Sequence, residues 1–197
     1  LRLEFNTDGN LIYFPAASEC LEDTDLFDRQ LLLPFLTIPG ESISPRYAGL
    51  PFRLFGHPVG WSDITFRILD DGRYELMEVD GLIGEELEEM LNDEEPDDEL
   101  FDSLPEQPCR MKVAQRSDDE LHEDHVIEIG APTWAQSTYN DIEPTDDPEC
   151  TETDFEDEDG NPMEFVVATF RIPDVFGYHY LFYAPATRTV MQVFQCT

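Results

Sequence analysis

Residues 63–79 read DITFRILDDGRYELMEV, and this stretch decides the fold class of the chain. Apolar and polar side chains alternate on both sides of LDDG, which is the pattern of a half-buried β-strand. Asp71-Gly72 suits a tight turn, because glycine adopts positive φ without a steric cost. The stretch therefore predicts two antiparallel strands joined by a hairpin turn.

The same pattern recurs along the chain. LRLEFNTDGNLIYF (residues 1–14) predicts a hairpin around Asp8-Gly9, and EDEDGN (156–161) predicts a turn before the apolar run EFVVATF. The closing YHYLFYAPATRTVMQVFQC (178–196) has two apolar runs around residues 184–188. Three or four hairpins with little helix predict an α+β, mostly antiparallel β fold, with hairpin-rich sheet units and one short acidic helical insertion.

Acidic residues dominate the composition. The 197 residues include 45 Asp and Glu against 11 Lys and Arg, for a formal net charge of −34, and Lys112 is the sole lysine. Such a charge disfavours binding to nucleic acid or to an anionic membrane surface, and it calls for salt, cations or a basic partner to offset self-repulsion. The 41% apolar content is enough for a real core, so the sequence predicts one domain over residues 1–197.

The acids fall in blocks, with twelve in residues 85–106, five in 117–124 and eleven in 141–159. We interpret them as acidic insertions at about 82–125 and 141–160 within a β framework. Leu87, Met90 and Leu91 form an apolar stripe that predicts a short helix, and Pro96 ends or kinks it. Two interpretations stay open: a solvated amphipathic helix on the domain surface, or a docking element for a basic partner.

Motifs for catalysis, metals or cofactors are missing from the sequence. Cys20, Cys109, Cys150 and Cys196 are widely spaced, which argues against a zinc ribbon and fits free thiols in a reducing cytoplasm. His122 and His125 permit the start of a metal site, but they lack the HExxH pattern. The 155–166 loop does not match an EF-hand. We predict no metal site and no cofactor, and the sequence gives no support for an enzyme.

Two segments share a Gly-x-Pro corner followed by tryptophan. LFGHPVGW (54–61) contains His57 and Trp61, and EIGAPTWAQ (128–136) contains Trp134. Gly and Pro together predict a rigid exit from a strand. A structural corner and a cleft for a ligand or peptide both remain open. The cleft candidates are Gly130, Pro132, Trp134, Gln136, His57 and His179.

The order GAPTWAQ, NPMEFVVATF and YHYLFYAPATRTVMQVFQC resembles the YwqG-like family of bacterial domains of unknown function, and FRLFGHPVG is similar to another corner of that family. The resemblance covers roughly residues 50–80 and 126–197. It implies a β-rich fold with two related sheet units and an association with bacterial toxin–immunity or defence neighbourhoods. Cys150 stands alone where relatives often carry paired cysteines, which argues against a metal knuckle. Trp61 and Ser62 stand where the family has glutamine.

The leading hypothesis is a non-enzymatic cytoplasmic binding protein of the immunity or inhibitor type. Its carboxylates would mimic nucleic-acid phosphates and dock a basic protein, such as a nuclease. The predicted contacts are Glu85, Glu86, Glu88, Glu89, Asp97, Asp98, Glu99, Phe101, Asp154, Phe155, Glu156, Asp157 and Asp159. The alternatives are a ligand-binding or enzymatic domain that uses the 130–136 corner, and a halophile-adapted protein of unrelated function.

Overall fold

A computed structural model describes residues 2–57, 61–95, 109–115, 126–128, 155–170 and 178–195; for 2–13, 109–115, 126–128 and 170 it describes the backbone. The strands in these ranges are β1 (Arg2–Tyr13), β2 (Leu33–Pro39), β3 (Pro51–Gly56), β4 (Asp63–Ile68), β5 (Tyr74–Val79), β6 (Cys109–Gln115), β7 (Val126–Glu128), β8 (Glu164–Phe170), β9 (Tyr178–Ala184) and β10 (Thr189–Gln195). The α-helices are α1 (Ala17–Cys20), α2 (Asp25–Asp28), α3 (Gly40–Ile43) and α4 (Gly84–Asp93), and a 3-10 turn spans Pro45–Tyr47. The fold is α+β and mostly antiparallel β, as the hairpin pattern predicts.

The strands form one antiparallel sheet in the order β3-β2-β1-β7-β8-β9-β10-β4-β5, and β6 also pairs with β1. The two ends of this order face each other. Phe52 on β3 packs against Tyr183 on β9, with ring centroids 5.5 Å apart. Phe55 lies 4.8 Å from the ring of Phe66 on β4. The sheet therefore folds back on itself, and β2–β3 cover β9, β10, β4 and β5 in the manner of a sandwich.

Two of the predicted hairpins are confirmed. Strands β4 and β5 pair around the Asp71-Gly72 turn, with Ile68 opposite Tyr74 and Gly72 at φ 84°. Strands β9 and β10 pair in register from Thr189 and Ala184 outward. The alternating burial along β4 matches the period of two in its sequence. These hairpins form half of the sandwich.

The predicted hairpin around Asp8-Gly9 is wrong. Strand β1 runs through this point, and β6 pairs with it on both sides: Asn6 lies opposite Lys112, and Leu11 lies opposite Met111. Residues 7–10 therefore have no counterpart on β6 and form an irregularity in a continuous strand. The turn residues bend β1 out of register but do not reverse it, because one partner strand spans both halves.

Strand β6 lies within the predicted first acidic insertion. Cys109–Gln115 lies inside residues 82–125, yet it pairs with β1 as part of the sheet. Its sequence, CRMKVAQ, has no acidic residue and includes the sole lysine. The lack of acidic residues in this segment could therefore have indicated a strand of the sheet within the acidic region.

Strand β9 is buried on both faces. Leu181 and Tyr183 belong to the large core inside the sandwich, while Tyr180 and Phe182 belong to a smaller cluster on the other face. Residues of the segment before β8, including Phe155 and Met163, pack into that smaller cluster. A strand buried on both faces has a nearly continuous apolar sequence, and YHYLFYA fits that description.

Candidate functional site

Helix α4 exposes Glu85, Glu86, Glu88 and Glu89, which we name the α4 acidic surface. Leu87 and Leu91 on the same helix are buried in the large core. Side chains four residues apart share one face of a helix, so these two leucines hold α4 on the domain and turn the glutamates to solvent. The amphipathic helix that the sequence predicts is confirmed, and both interpretations of its acidic face stay open.

Contacts to other elements hold the C-terminal end of α4. The side chain of Arg29 donates a hydrogen bond to the carbonyl oxygen of Leu91 in the last turn, where a cation also interacts favourably with the helix dipole. Glu94, directly after the helix, accepts a hydrogen bond of 3.2 Å from the indole N–H of Trp61. The α4 acidic surface therefore lies on a helix that is fixed by both packing and polar contacts.

Basic side chains do not neutralise the α4 acidic surface within the described part of the fold. No ion pair joins any of its four glutamates to another described residue. Glu85 and Glu89 are four residues apart, and like charges at that spacing cost a helix a few tenths of a kcal/mol. Glu85 and Glu86 lie in the first turn, where a negative charge interacts favourably with the helix dipole and partly offsets this repulsion.

The second predicted acidic patch is different, because two of its members have structural roles. Asp157 is only 9% exposed, and its carboxylate accepts hydrogen bonds from the backbone N–H groups of Asp159 and Asn161 and from the Thr187 hydroxyl. Burial opposes ionisation, but these hydrogen bonds outweigh it and lower the pKa of Asp157. Asp157 is a turn residue that also ties the turn to Thr187, and its carboxylate is committed there.

Phe155 is likewise part of the fold. Its ring lies 4.6 Å from that of Phe182 on β9, and it packs on the smaller core cluster. Phe155 is half-buried, and its predicted contact with a partner stays a prediction. Glu156 and Asp159 remain exposed at the same turn. The turn at residues 157–160, with Gly160 at φ 75°, is the one that the sequence predicts before β8.

Several predicted contacts lie outside the described residues. On the partner-binding side these are Asp97, Asp98, Glu99, Phe101 and Asp154, and on the cleft side they are Gly130, Pro132, Trp134 and Gln136. His122 and His125 also lie outside. Among the described residues, no group of three or more His, Cys, Asp and Glu side chains is placed to hold a metal ion.

The remaining cleft candidates, His57 and His179, are brought together in the interior. Their ring centroids lie 6.2 Å apart, and each ring packs 5.2 Å from Phe194 on β10. His57 is 8% exposed and His179 is 2% exposed. Pairing of these two histidines follows from the sandwich, since β3 and β9 are far apart in sequence and face each other in space.

Gln192 connects this histidine pair to the backbone of β3. Its amide oxygen accepts a hydrogen bond of 2.8 Å from the N–H of Phe55, and its amide nitrogen donates to the Phe55 carbonyl at 2.6 Å. On the same strand, the N–H of Arg53 donates to the Tyr74 hydroxyl at 3.1 Å. Backbone groups two residues apart point to the same side of a strand, so side chains from the facing half of the sandwich satisfy this edge of β3, which ends the strand order. The amide nitrogen of Gln192 also lies 3.1 Å from Nδ1 of His179, which makes Nδ1 the acceptor and fixes the neutral ring as the Nε2–H tautomer.

Trp61 extends this polar cluster toward α4. Its indole stacks on His57, with an interplanar angle of 11° and a centroid distance of 5.7 Å. A buried tryptophan usually needs a hydrogen-bond partner for its indole N–H. The structure supplies Glu94 as that partner, at a position that the sequence did not indicate.

Arg53 is a further residue that sequence reasoning missed. It is 8% exposed, and it donates to the carbonyl of Gly72 at 3.2 Å, to the Thr37 hydroxyl at 2.9 Å and to the Cys20 sulfur at 2.9 Å. No carboxylate of the described residues pairs with it. A single arginine inside the apolar run PFRLFG was the available signal, because a buried cation must find several acceptors.

Comparison with known proteins finds no match for this chain among protein-family models, curated proteins or solved structures. The resemblance to the YwqG-like family therefore stays a prediction. Within the described residues, no helix has the length and apolar content needed to cross a bilayer.

Proposed function

We propose that this chain is a non-enzymatic binding protein whose acidic surface docks a basic protein. The observation that carries the proposal is the α4 acidic surface, where four exposed carboxylates without ion pairs among the described residues stand on a helix that Leu87 and Leu91 fix to the core. A helix that is already fixed loses little further backbone freedom on binding, and a field of one sign steers an oppositely charged partner.

The mode of action that we propose is inhibition or immunity in the cytoplasm. Carboxylates on α4, with those of residues 97–99, occupy the surface of a basic partner that normally holds nucleic-acid phosphates. Association is then fast at low ionic strength and slows steeply with salt. A nuclease or another nucleic-acid-binding protein is the partner class with the matching charge.

The buried histidine pair supports a weaker second candidate, a ligand site that uses His57 and His179; the other predicted cleft residues, 130–136, lie outside the described residues. What favours it is the convergence of His57, His179 and Trp61 at one place in the sandwich. Their aromatic packing and the Gln192 contacts, however, account for these side chains as parts of the core. The acidic docking surface remains the function that the geometry supports best.

The test uses two variants with the same change in net charge. Glu85, Glu86 and Glu89 are replaced by Gln in the first variant. Glu19→Gln, Glu22→Gln and Asp28→Asn form the matched control, since these acids also lie on the surface but on or beside α1 and α2. Wild type and both variants serve as bait in lysate of the native host at low and at high salt, with quantitative mass spectrometry of the bound proteins.

We expect wild type and the control variant to retain the same basic protein at low salt, and the α4 variant to lose it. High salt should weaken the retention in every case. Equal retention by all three baits, or the absence of any basic protein, would show that α4 is not a docking surface.

A further inference from the structure

An open pocket of about 310 Å³ lies at one end of the sandwich. It forms where the last residues of β2 and the first of β3 meet the β4–β5 turn and the β9–β10 turn. Its lining combines the apolar residues Pro39, Leu50 and Pro51 with the charged residues Glu41, Asp70, Asp71 and Arg188. None of these residues belongs to the α4 acidic surface.

The positive groups at this pocket are already engaged. Arg188 donates from one terminal nitrogen to Asp70 at 2.7 Å and from the other to the carbonyl of Leu69 at 2.8 Å. Arg53 binds the lining residues Thr37 and Gly72 from within the sandwich and is not itself part of the lining. An incoming anion would therefore have to compete with existing contacts for a donor.

The negative groups can still accept a cation. Glu41 is exposed, and within the described residues its carboxylate makes no ion pair or side-chain hydrogen bond. Asp70 uses one oxygen for Arg188, and its side chain is fully exposed. The pocket thus offers carboxylate acceptors beside a proline-rich apolar wall, which suits a group with an aliphatic stem and a cationic head.

We propose that this pocket receives a lysine or arginine side chain of a protein partner. The aliphatic stem packs on Pro39, Leu50 and Pro51, and the cationic head binds Glu41 and the free oxygen of Asp70. The identity of the donor as a basic partner protein rests on the proposed function. The pocket adds a defined side-chain socket to a docking mode that otherwise depends on diffuse charge.

The test titrates the full chain with n-butylguanidinium and n-butylammonium, which carry the head group and stem of arginine and lysine. Amide chemical shifts are followed by NMR, and n-butanol serves as the uncharged control. We expect saturable shifts at Gly49, Leu50 and Gly72 with millimolar affinity for at least one cation, and none with n-butanol. Glu41→Gln should weaken binding about fivefold, while Glu88→Gln on α4 should leave it unchanged.

Shifts that do not saturate, or that are the same in wild type and Glu41→Gln, would mean general screening by cations and would overturn the inference. The proposed function would still hold in that case, provided that the α4 variant fails to retain the basic protein from lysate. The opposite combination is saturable binding of the cation at the pocket together with equal retention of the basic protein by wild type and the α4 variant. It would overturn the proposed function and leave the pocket inference intact.

Discussion

At the scale of the residue, Gln192 shows how one polar side chain satisfies buried backbone groups of a neighbouring strand. It makes two hydrogen bonds to the backbone of Phe55 and a third to His179. All three partners lie inside the sandwich, where a donor or acceptor left without a partner costs about 1–3 kcal/mol. The side chain therefore links β10 to β3 across the core.

We expect Gln192→Leu to lower the free energy of unfolding by about 3 kcal/mol, because the backbone groups of Phe55 lose their partners and water cannot reach them. Denaturant unfolding measures the change. Met191→Leu, at the half-buried neighbouring position, is the control and should cost less than about 1.5 kcal/mol. A loss as small as that of the control would show that the Phe55 groups find other partners.

Cys20 gives a second prediction at this scale. Burial raises the pKa of its thiol from 9.0 to about 11, although the Arg53 guanidinium and the Thr37 hydroxyl act in the opposite direction. Between these values the unfolded chain has lost the thiol proton and the folded chain has kept it. The free energy of unfolding should therefore fall as pH rises, by about 1.4 kcal/mol between pH about 8 and about 10.

Urea unfolding of wild type and Cys20→Ser at the two pH values checks this expectation. Cys109, Cys150 and Cys196 are common to both proteins, so their contribution cancels in the comparison. The part of the decline that belongs to Cys20 should be missing from the variant. If the free energy of unfolding falls equally with pH in wild type and Cys20→Ser, ionisation of Cys20 is not the cause.

At the scale of the element, the short helix α3 depends on a glycine. Gly40 donates its N–H to the carbonyl of Leu50 at 2.7 Å. A Cβ at this position would lie 2.8 Å from that same oxygen and closer still to the carbonyl of Tyr47. Both obstacles are backbone atoms, so neither can move aside without shifting the segment between β2 and β3.

Gly40→Ala should therefore destabilise the protein by at least about 3 kcal/mol, as overpacking against backbone does at its upper range. Thermal unfolding measures the effect. Gly84→Ala is the matched control: Gly84 has φ 57°, and no atom lies within 4 Å of the point that an alanine Cβ would occupy, so it should cost only about 1–2 kcal/mol of backbone strain. If the two substitutions destabilise the protein equally, the backbone around α3 must shift to make room for the alanine side chain.

At the scale of the whole molecule, the net charge of −34 sets the response to salt. The Debye length falls from about 30 Å at 0.01 M to about 3 Å at 1 M ionic strength. Repulsion among the acids is screened over that range. We expect the free energy of unfolding to rise steadily with NaCl from an already folded state at low salt.

Circular dichroism and denaturant unfolding across this salt range provide the measurement, with tetramethylammonium chloride as the control for specific cation binding. Similar curves in both salts support screening. A chain that folds only at molar salt would favour the halophile alternative over a docking protein.

The sequence predicted the local parts of this fold. The β4–β5 hairpin follows from alternation around Asp71-Gly72, and α4 follows from the spacing of Leu87 and Leu91, because both patterns depend on neighbours a few residues away. The hairpin at Asp8-Gly9 was wrong for the same reason. A local turn pattern cannot report that β6, about a hundred residues later, pairs with β1 on both sides of Asp8-Gly9 and keeps it one strand.

The sequence by itself determined the antiparallel β class, the amphipathic character of α4 and the strongly acidic surface, since composition and short-range periodicity encode all three. Tertiary structure alone decided that the sheet folds back on itself, that His57 meets His179, that Gln192 completes the backbone of Phe55, and that Thr187 binds the Asp157 carboxylate. These outcomes depend on contacts between residues distant in the chain. Only the folded chain brings such residues within the reach of a hydrogen bond or a ring contact.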